Sequence, residues 1–548
     1  MEIRLLSSLE KVFRDKEPSA PTHGSVSALR GERVSFQIAC YMEDQNHLSI
    51  AAQAQTALDV PVELYEVETV PVTLPAYIRR DADYLRVTPG LYPDLLMPHK
   101  GRLTLNGGQW RSLWISLVVP TDAAAGPVPI HVRLVCTDDP QTLLGGISFV
   151  IDVIPAILPP QKLIHTEWFH CDCLATHYRV PVFSEEHWRL IGCYMKNAVD
   201  FGVNMILTPV FTPPLDTAPG EERPTVQLVD VVVRDGVYVF GFDKLERYMR
   251  LAEECGIQYF EISHLFTQWG AACAPKIVAD IDGQRRRIFG WETDAGSTEY
   301  VSFLRTFLTA LRGFLSSSGR ESRCYFHISD EPGLDMLEGY RRARESVADV
   351  LEGLPVIDAL SDYTFYEKRV VPHPIPSIDH ADTFASHNVN PLWTYYCCAQ
   401  GVDVSNRFIS MPSYRNRVIA CQFYKYRIDG FLQWGYNFWY SGNSRESIQP
   451  FADTCAHDSF PGGDAFLVYP GEDGVPIPSL RQMVFFEALQ DLRAFQLLES
   501  FTSYEEVLEL IECGCDEKIT FHSYPRDAGW LLAVRERINR KIGSICTT

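Results

Sequence analysis

The sequence predicts a multidomain protein with α/β and all-β parts: a (β/α)8 TIM-like barrel, preceded by a β-sandwich and followed by C-terminal helices. Three observations carry this prediction. The chain has 548 residues, too many for one hydrophobic core. Its N-terminal part alternates apolar and polar side chains with period two. Beyond that part, strand-length apolar runs alternate with stretches of helical period. The expected divisions are 1–157 for the sandwich, 158–478 for the barrel and 479–548 for the helices.

In "RVSFQIACY", Val34, Phe36, Ile38 and Cys40 share one face, with Ser35 and Gln37 opposite. "PVPIHVRLVC" repeats the pattern through Val128, Ile130, Val132 and Leu134, and "ISFVIDV" through Ile147, Phe149, Ile151 and Val153. Gly/Pro/Asn punctuation such as "NGG" separates these runs, and no long amphipathic stretch interrupts them, which is a sandwich pattern. The prolines of "IPAILPPQK" mark a linker.

After the linker, strand-like runs open near Ile164, Val203, Gly256, Cys324, Pro355, Ala381, Leu392 and Gly430. Helices between them have recognisable ends. "SEEHWRLIGCYMKNAVDFG" begins with Ser184 as N-cap and puts Trp188, Ile191, Met195 and Ala198 on one face. "DKLERYMRLAEECG" has Asp243 as N-cap and Gly256 as its stop. Val301, Leu304, Leu308 and Leu311 form the stripe of a third helix. "VVVRDGVYVFGFD" and "VADIDGQRRRIF" each carry a central Asp–Gly and read as inserted hairpins. From Ser479 the chain is helical again, and Ser503 with Glu506 forms a capping box.

Composition excludes several classes. A net charge of −21 without a basic run argues against nucleic-acid and anionic-membrane partners. No stretch approaches the ~18 apolar residues of a spanning helix. The N-terminus lacks an apolar signal core. Fifteen cysteines without a C-x-x-C spacing suit neither a zinc ribbon nor a small disulfide framework. They read as free, mostly buried thiols in a cytoplasmic protein. A homo-oligomer is left open. No metal motif occurs, and "DGVYVFG" and "GDAFLVYPG" complete no nucleotide-binding loop, so no metal or cofactor is expected.

The chemistry concentrates in "RCYFHISDEPG", where Asp330 and Glu331 end the expected fourth barrel strand. Catalytic groups of such barrels sit at the C-terminal ends of the strands. Pro332 should bias Glu331 toward an extended backbone. One acid alone could simply cap the following helix, but two consecutive acids raise each other's pKa and suit acid–base work. A two-carboxylate glycosidase places its acids across the sugar, about 5–5.5 Å apart for retention and about 6.5–9.5 Å for inversion. Sequence neighbours on one strand end instead approach from nearly the same side. That fits a substrate that brings its own nucleophile: a 2-acetamido oxygen attacks C1, one carboxylate stabilises the amide N–H, and the other protonates the leaving oxygen.

"FHISDEP", with "ALRGERVSFQIA", "TPGLYPDLL", "GQWRSLWISLVVP", "LFTQWGA", "IDGFLQWGYNFW" and "DAFLVYPG", resembles glycoside hydrolase family 123 and the related domain of unknown function 4091. The resemblance runs from about Leu6 to the helices after Ser479. It implies retaining, substrate-assisted cleavage of β-linked N-acetylgalactosamine through an oxazolinium ion. By position, Asp330 would stabilise the acetamido group and Glu331 would be the acid/base.

Sugar sites combine aromatic platforms with a few directed polar groups. The strand ends offer Trp168, His170, His264, Trp269, His327, Trp393, Tyr395, Trp434 and Asn437 as substrate-binding candidates. Trp393 and Trp434 are favoured for the acetamido pocket. Two alternatives stay open. One is a glycosidase for a sugar without the acetamido group, with Glu167 or Glu261 as nucleophile. The other is a carbohydrate-binding protein without catalysis.

Overall fold

The computed structural model describes residues 1–43 and 46–546. Two five-stranded sheets form the N-terminal part. One runs Glu2–Ser7, Arg33–Tyr41, Trp110–Val118, Glu63–Val72, Gly90–Pro98 in spatial order. The other runs Ser25–Arg30, Leu143–Ile157, Gly126–Cys136, His47–Thr56, Leu103–Asn106. The apolar face read from period two fills one shared core. Val34, Phe36, Ile38 and Cys40 meet Ile130, Val132, Leu134, Phe149, Ile151 and Val153 there, and Phe36 stacks on Phe149 at 4.1 Å. The opposite face of the first sheet is also covered. Gln37, expected on a polar face, is fully buried and bonds to Ser7 O, Glu10 O and Ser112 Oγ. Its amide satisfies backbone groups that water cannot reach.

The expected linker begins later than its first proline. The strand Leu143–Ile157 continues through Pro155, with an irregular register between Ile154 and Ile157. The irregularity accommodates a residue that has no N–H for the ladder.

Eight short parallel strands follow. In chain order they are Ile164–Glu167, Met205–Thr208, Tyr259–Ile262, Cys324–Phe326, Ile357–Ala359, His373–Ile375, Trp393–Tyr395 and Gly430–Gln433. Six form one sheet in the order fourth, third, second, first, eighth, seventh, and the fifth and sixth pair separately. Backbone bonds continue this pairing at both edges. Phe326 N–H donates to Pro355 O at 2.9 Å, and Ile378 N–H donates to Tyr395 O at 2.8 Å. The run expected as a strand near Ala381 is instead a helix, Ala381–Ser386. The strand lies earlier, at His373–Ile375, where Pro372, Pro374 and Pro376 disguise the apolar alternation.

Ser184 caps its helix by accepting from His187 N–H, and Gly256 ends the next in the left-handed conformation with φ 110°. Asp243, expected as N-cap, is the first helical residue behind Phe242, where its charge still favours the helix N-terminus. Leu304, Leu308 and Leu311 are buried, while Val301 is only partly so. Both expected hairpins form, and together they build a separate four-stranded sheet. Ser503 accepts from Glu506 N–H.

One continuous apolar core joins Leu9, in the turn after the first strand, and Tyr92 and Leu96 of the N-terminal sheets to the parallel strands and to Leu480, Phe485 and Ile542 of the last helices. Buried ion pairs cross the same boundary. Asp94 holds Arg481 at 2.9 Å, and Glu32 holds Arg535 at 2.6 Å. No helix among the described residues is long and apolar enough to cross a membrane.

Candidate active site

A cleft of about 210 Å³ opens beyond the C-terminal ends of the parallel strands. Trp168, Trp269, Asp330, Glu331, Tyr395 and Trp434 line it. The acid pair lies just past the fourth strand and is held from three directions. Trp269 N–H donates to Asp330 O at 2.8 Å, and Glu331 N–H donates to Ala359 O at 2.9 Å. The Tyr395 hydroxyl donates to Glu331 Oε1. Under these restraints Glu331 adopts φ 44°, not the extended backbone expected before a proline. Such strain persists where surrounding contacts over-determine the backbone. Neither acid caps the helix that follows.

Burial raises the Asp330 carboxyl well above the usual carboxylate range, and the neighbouring Glu331 charge pushes it the same way. His327 opposes both. That histidine is fully buried under the floor, with Nε2 2.6 Å from Glu261 Oε1 and Nδ1 3.1 Å from Asp358 Oδ1. Burial alone would lower its pKa, but the hydrogen bonds to Asp358 and Glu261 raise it to about 10. His327 is therefore an imidazolium between two carboxylates. Asp358 also accepts from Ile328 N–H at 3.0 Å and from Tyr340. Glu261 in turn accepts from Trp168 Nε1 at 2.7 Å and from Thr166. The same charge cluster thus fixes one cleft aromatic and sets the field under Asp330.

Trp269 stands on a loop tied to the acid pair, since Ser329 Oγ donates to Thr267 O and accepts from Ala271 N–H. Its backbone is left-handed at φ 59°, and 41% of the residue is exposed at the cleft mouth. Gly270 follows at φ 103°, where a Cβ would come within 2.7 Å of the Met336 sulfur. Trp434 donates through Nε1 to Asp464 Oδ2 at 3.0 Å.

The other expected residues lie off the cleft wall. Trp393 is buried inside the strand layer, its ring packed onto the backbone of Gly430. Being the first residue of its strand, it sits deep under the strand end that carries Tyr395. His170 is buried between Trp434 O and the Arg223 guanidinium, and burial pushes its pKa down to about 3. Asn437 accepts from His170 N–H and donates to His170 O, joining two loops. His264 stacks on His327 at 4.3 Å, and burial holds it neutral. His264, His327 and Asp358 have ligand atoms within 4.8 Å of one another. The group does not suit a metal, because protonated His327 spends both nitrogens on carboxylates.

Glu167 and Glu261 are fully buried, the former paired with Arg407 at 2.7 Å. Neither faces the cleft. Sequence reading missed a cleft carboxylate, Asp216, which burial raises to about 6 and which bonds to Asn443 N–H at 2.9 Å. It lies on the loop "VFTPPLDTAPG" after the second strand, where its position beyond a strand end was the available signal. Cys397 and Cys398, expected only as apolar filler, also line the cleft. All fifteen cysteines are free thiols.

A family model described as the glycoside hydrolase 123 catalytic domain matches residues 168–498. Among solved structures, a family 123 glycoside hydrolase from Clostridium perfringens, described in connection with glycolipid glycan hydrolysis, superposes with a TM-score of 0.75. It is 13% identical and covers 100% of this chain and 98% of its own, so the likeness is one of fold. A family 10 xylanase from Thermobacillus composti, 11% identical over 60% of this chain and 97% of its own, reaches a TM-score of only 0.29. No curated protein matches.

Proposed function

This chain belongs to glycoside hydrolase family 123, and on that premise we propose that it is a retaining β-N-acetylgalactosaminidase using the substrate's own acetamido oxygen as nucleophile. Membership supports a glycosidase acting on carbohydrate. The observation that carries the finer reading is the placement of Asp330 and Glu331 side by side on one edge of the cleft. We read the eight parallel strands as a closed (β/α)8 barrel and the N-terminal sheets as a β-sandwich packed on it. The divisions near 157 and 478, and a reducing compartment for the free thiols, belong to the same reading.

Acetamido carbonyl oxygen attacks C1 while Glu331 gives its proton to the glycosidic oxygen, and the alcohol departs. The resulting oxazolinium ion is stabilised by Asp330, which accepts from the amide N–H. Water then attacks C1, giving its proton to Glu331, and the ring reopens with the β configuration restored. Asp330's raised pKa, caused by burial and then by the neighbouring Glu331, fits an adjacent acid pair. An amide N–H donor at Asp330 favours its ionised form, and the Tyr395 hydroxyl positions the Glu331 carboxyl group beside it.

Asp216 supports a second reading, since it is a further carboxylate on the wall and could attack a sugar without an acetamido group. A panel of aryl β-glycosides separates the two. Turnover of the N-acetylgalactosaminide with an inert 2-hydroxy galactoside supports substrate assistance. Turnover of the 2-hydroxy sugar with an ester trapped on Asp216 supports the second reading.

A further inference from the structure

Two thiols stand on the cleft wall, neighbours in the chain and in space. Cys397 and Cys398 follow the seventh parallel strand, line the cleft beside Trp434 and Phe460, and are both partly exposed. Their sulfurs are hydrogen-bonded to each other. The surroundings hold them in place. Cys397 Sγ donates to Gln400 Oε1 at 3.3 Å, its N–H donates to the same oxygen at 2.9 Å, and its carbonyl accepts from Asn406 Nδ2 at 2.9 Å. The Cys398 sulfur lies against the Tyr77 hydroxyl, which donates to Ser459 O at 2.9 Å. Neither thiol takes part in the glycosidase steps.

Different uses of a thiol pair make different geometric demands. A disulfide joins Cα atoms usually about 4.4–6.8 Å apart. The trans peptide between Cys397 and Cys398 holds theirs at about 3.8 Å. A disulfide here is strained and easily reduced. Oxidation also starts from a thiolate. The hydrogen bond to Cys398, then burial, then the charges of Cys398, Glu331 and Asp464 push the Cys397 thiol well above its ordinary range. Structural zinc takes four ligands. Among the described residues, the cluster of three ligating side chains is His264, His327 and Asp358, which does not include the pair.

We propose that Cys397 and Cys398 form a bidentate site for trivalent arsenicals, which bridge the two sulfurs and obstruct the cleft. An arsenic atom carrying one organic group needs only two further ligands. Its bonds to sulfur are longer than a disulfide bond, so the bridge closes without drawing the sulfurs as close. A dihydroxyarsine condenses with two thiols: two As–O bonds break, two As–S bonds form, and each thiol proton leaves with a hydroxyl as water. Arsenic stays trivalent and no oxidant takes part. Cys397 interacts electrostatically with both Glu331 and Tyr395, so the bridge stands beside the acid and the residue that positions it.

The test uses the full, reduced chain and phenylarsine oxide, which hydrates to the dihydroxyarsine in water. It is read by intact mass and peptide mapping, independently of any sugar. One phenylarsenic group per chain should survive excess monothiol, map to the peptide holding both cysteines, and be removed by a competing dithiol. A second linked ligand raises affinity about 10²–10⁴-fold, so Cys397→Ser and Cys398→Ser should each weaken retention by about that factor. Cys513→Ser, which removes the exposed member of the Cys513/Cys515 pair, should retain the label. Turnover of any aryl glycoside the native enzyme accepts should fall in proportion to the label and return with the dithiol. The peptide map of the native chain decides even where a serine variant folds poorly. Label retained by both single variants, label mapped to other cysteines, loss of two hydrogens without arsenic, or full turnover by the labelled chain overturns the site.

Discussion

The Tyr395 hydroxyl donates to Glu331 Oε1, so the seventh parallel strand aims a carboxylate that the fourth strand carries. Sequence distance hides the relationship, since 64 residues separate the two. Glu331 is an exposed residue with a left-handed φ, and this bond directs its carboxyl group toward the cleft wall.

Tyr395→Phe keeps the buried ring and removes the donor. Glu331 gains charge as its proton leaves, and hydrogen bonds to charged groups contribute about 1.5–3 kcal/mol, so kcat/KM on a disaccharide should fall roughly 10- to 100-fold. Circular dichroism and Tm should stay near native. An unchanged kcat/KM would show that the bond does not position the acid.

Glu331→Gln should separate substrates by leaving group. General acid catalysis contributes roughly 10²–10⁴-fold, and an activated aryl leaving group needs little of it. Loss should therefore be large for a disaccharide and small for a nitrophenyl glycoside. Equal losses would remove Glu331 from the acid role.

Asp330→Asn should lose activity and gain stability. Without the charge that stabilises the oxazolinium, kcat should fall about 10²–10³-fold. A thiazoline mimic of that intermediate should inhibit the variant far less than the native enzyme. Asp330 has a raised folded pKa, so above ~3.9 the native state holds a proton that the unfolded chain has released, and stability falls as pH rises. Asparagine escapes this penalty. Its Tm should exceed the native value at pH 7–8 and the gap should close toward pH 4; a variant less stable at pH 8 would contradict the raised pKa.

His327 has the opposite linkage. Its folded pKa of about 10 lies above the unfolded ~6.5, so its stabilisation is complete below ~6.5 and disappears as pH rises through 10. His327→Gln leaves Glu261 and Asp358 buried without their cation, a loss of roughly 3–5 kcal/mol near neutral pH. Denaturant unfolding from pH 6 to 10 should show the two proteins converging. Parallel curves would mean that His327 is neutral in the native state.

Removing residues 1–157 should prevent cooperative folding of the remainder. Leu9, Tyr92 and Leu96 belong to the main core, and Arg481 would remain buried without Asp94. Lys11 would also release the carbonyls of Ile409 and Met411, each 2.8 Å from its ammonium nitrogen. A soluble, fully active fragment would show that the N-terminal sheets are dispensable.

The sequence by itself determined what local periodicity and local chemistry can carry. Alternation identified the shared face of Phe36 and Phe149, Ser184 and Gly256 marked helix ends, and "SDEP" located the acids past a strand end. Only the tertiary structure decided which polar and aromatic residues reach the cleft. Trp393 and Tyr395 share one strand and one face, yet the first is buried against Gly430 and the second reaches Glu331. Depth along a three-residue strand separates them, and period two contains no information about depth. His327 stands three residues before Asp330 in the same motif, but Glu261 and Asp358 converge on it from other strands and make it a buried cation. Asp216 enters the cleft from an irregular loop, where no periodicity exists to read. Such placements arise from contacts between residues far apart in the chain, and a sequence pattern records only the neighbours it spans.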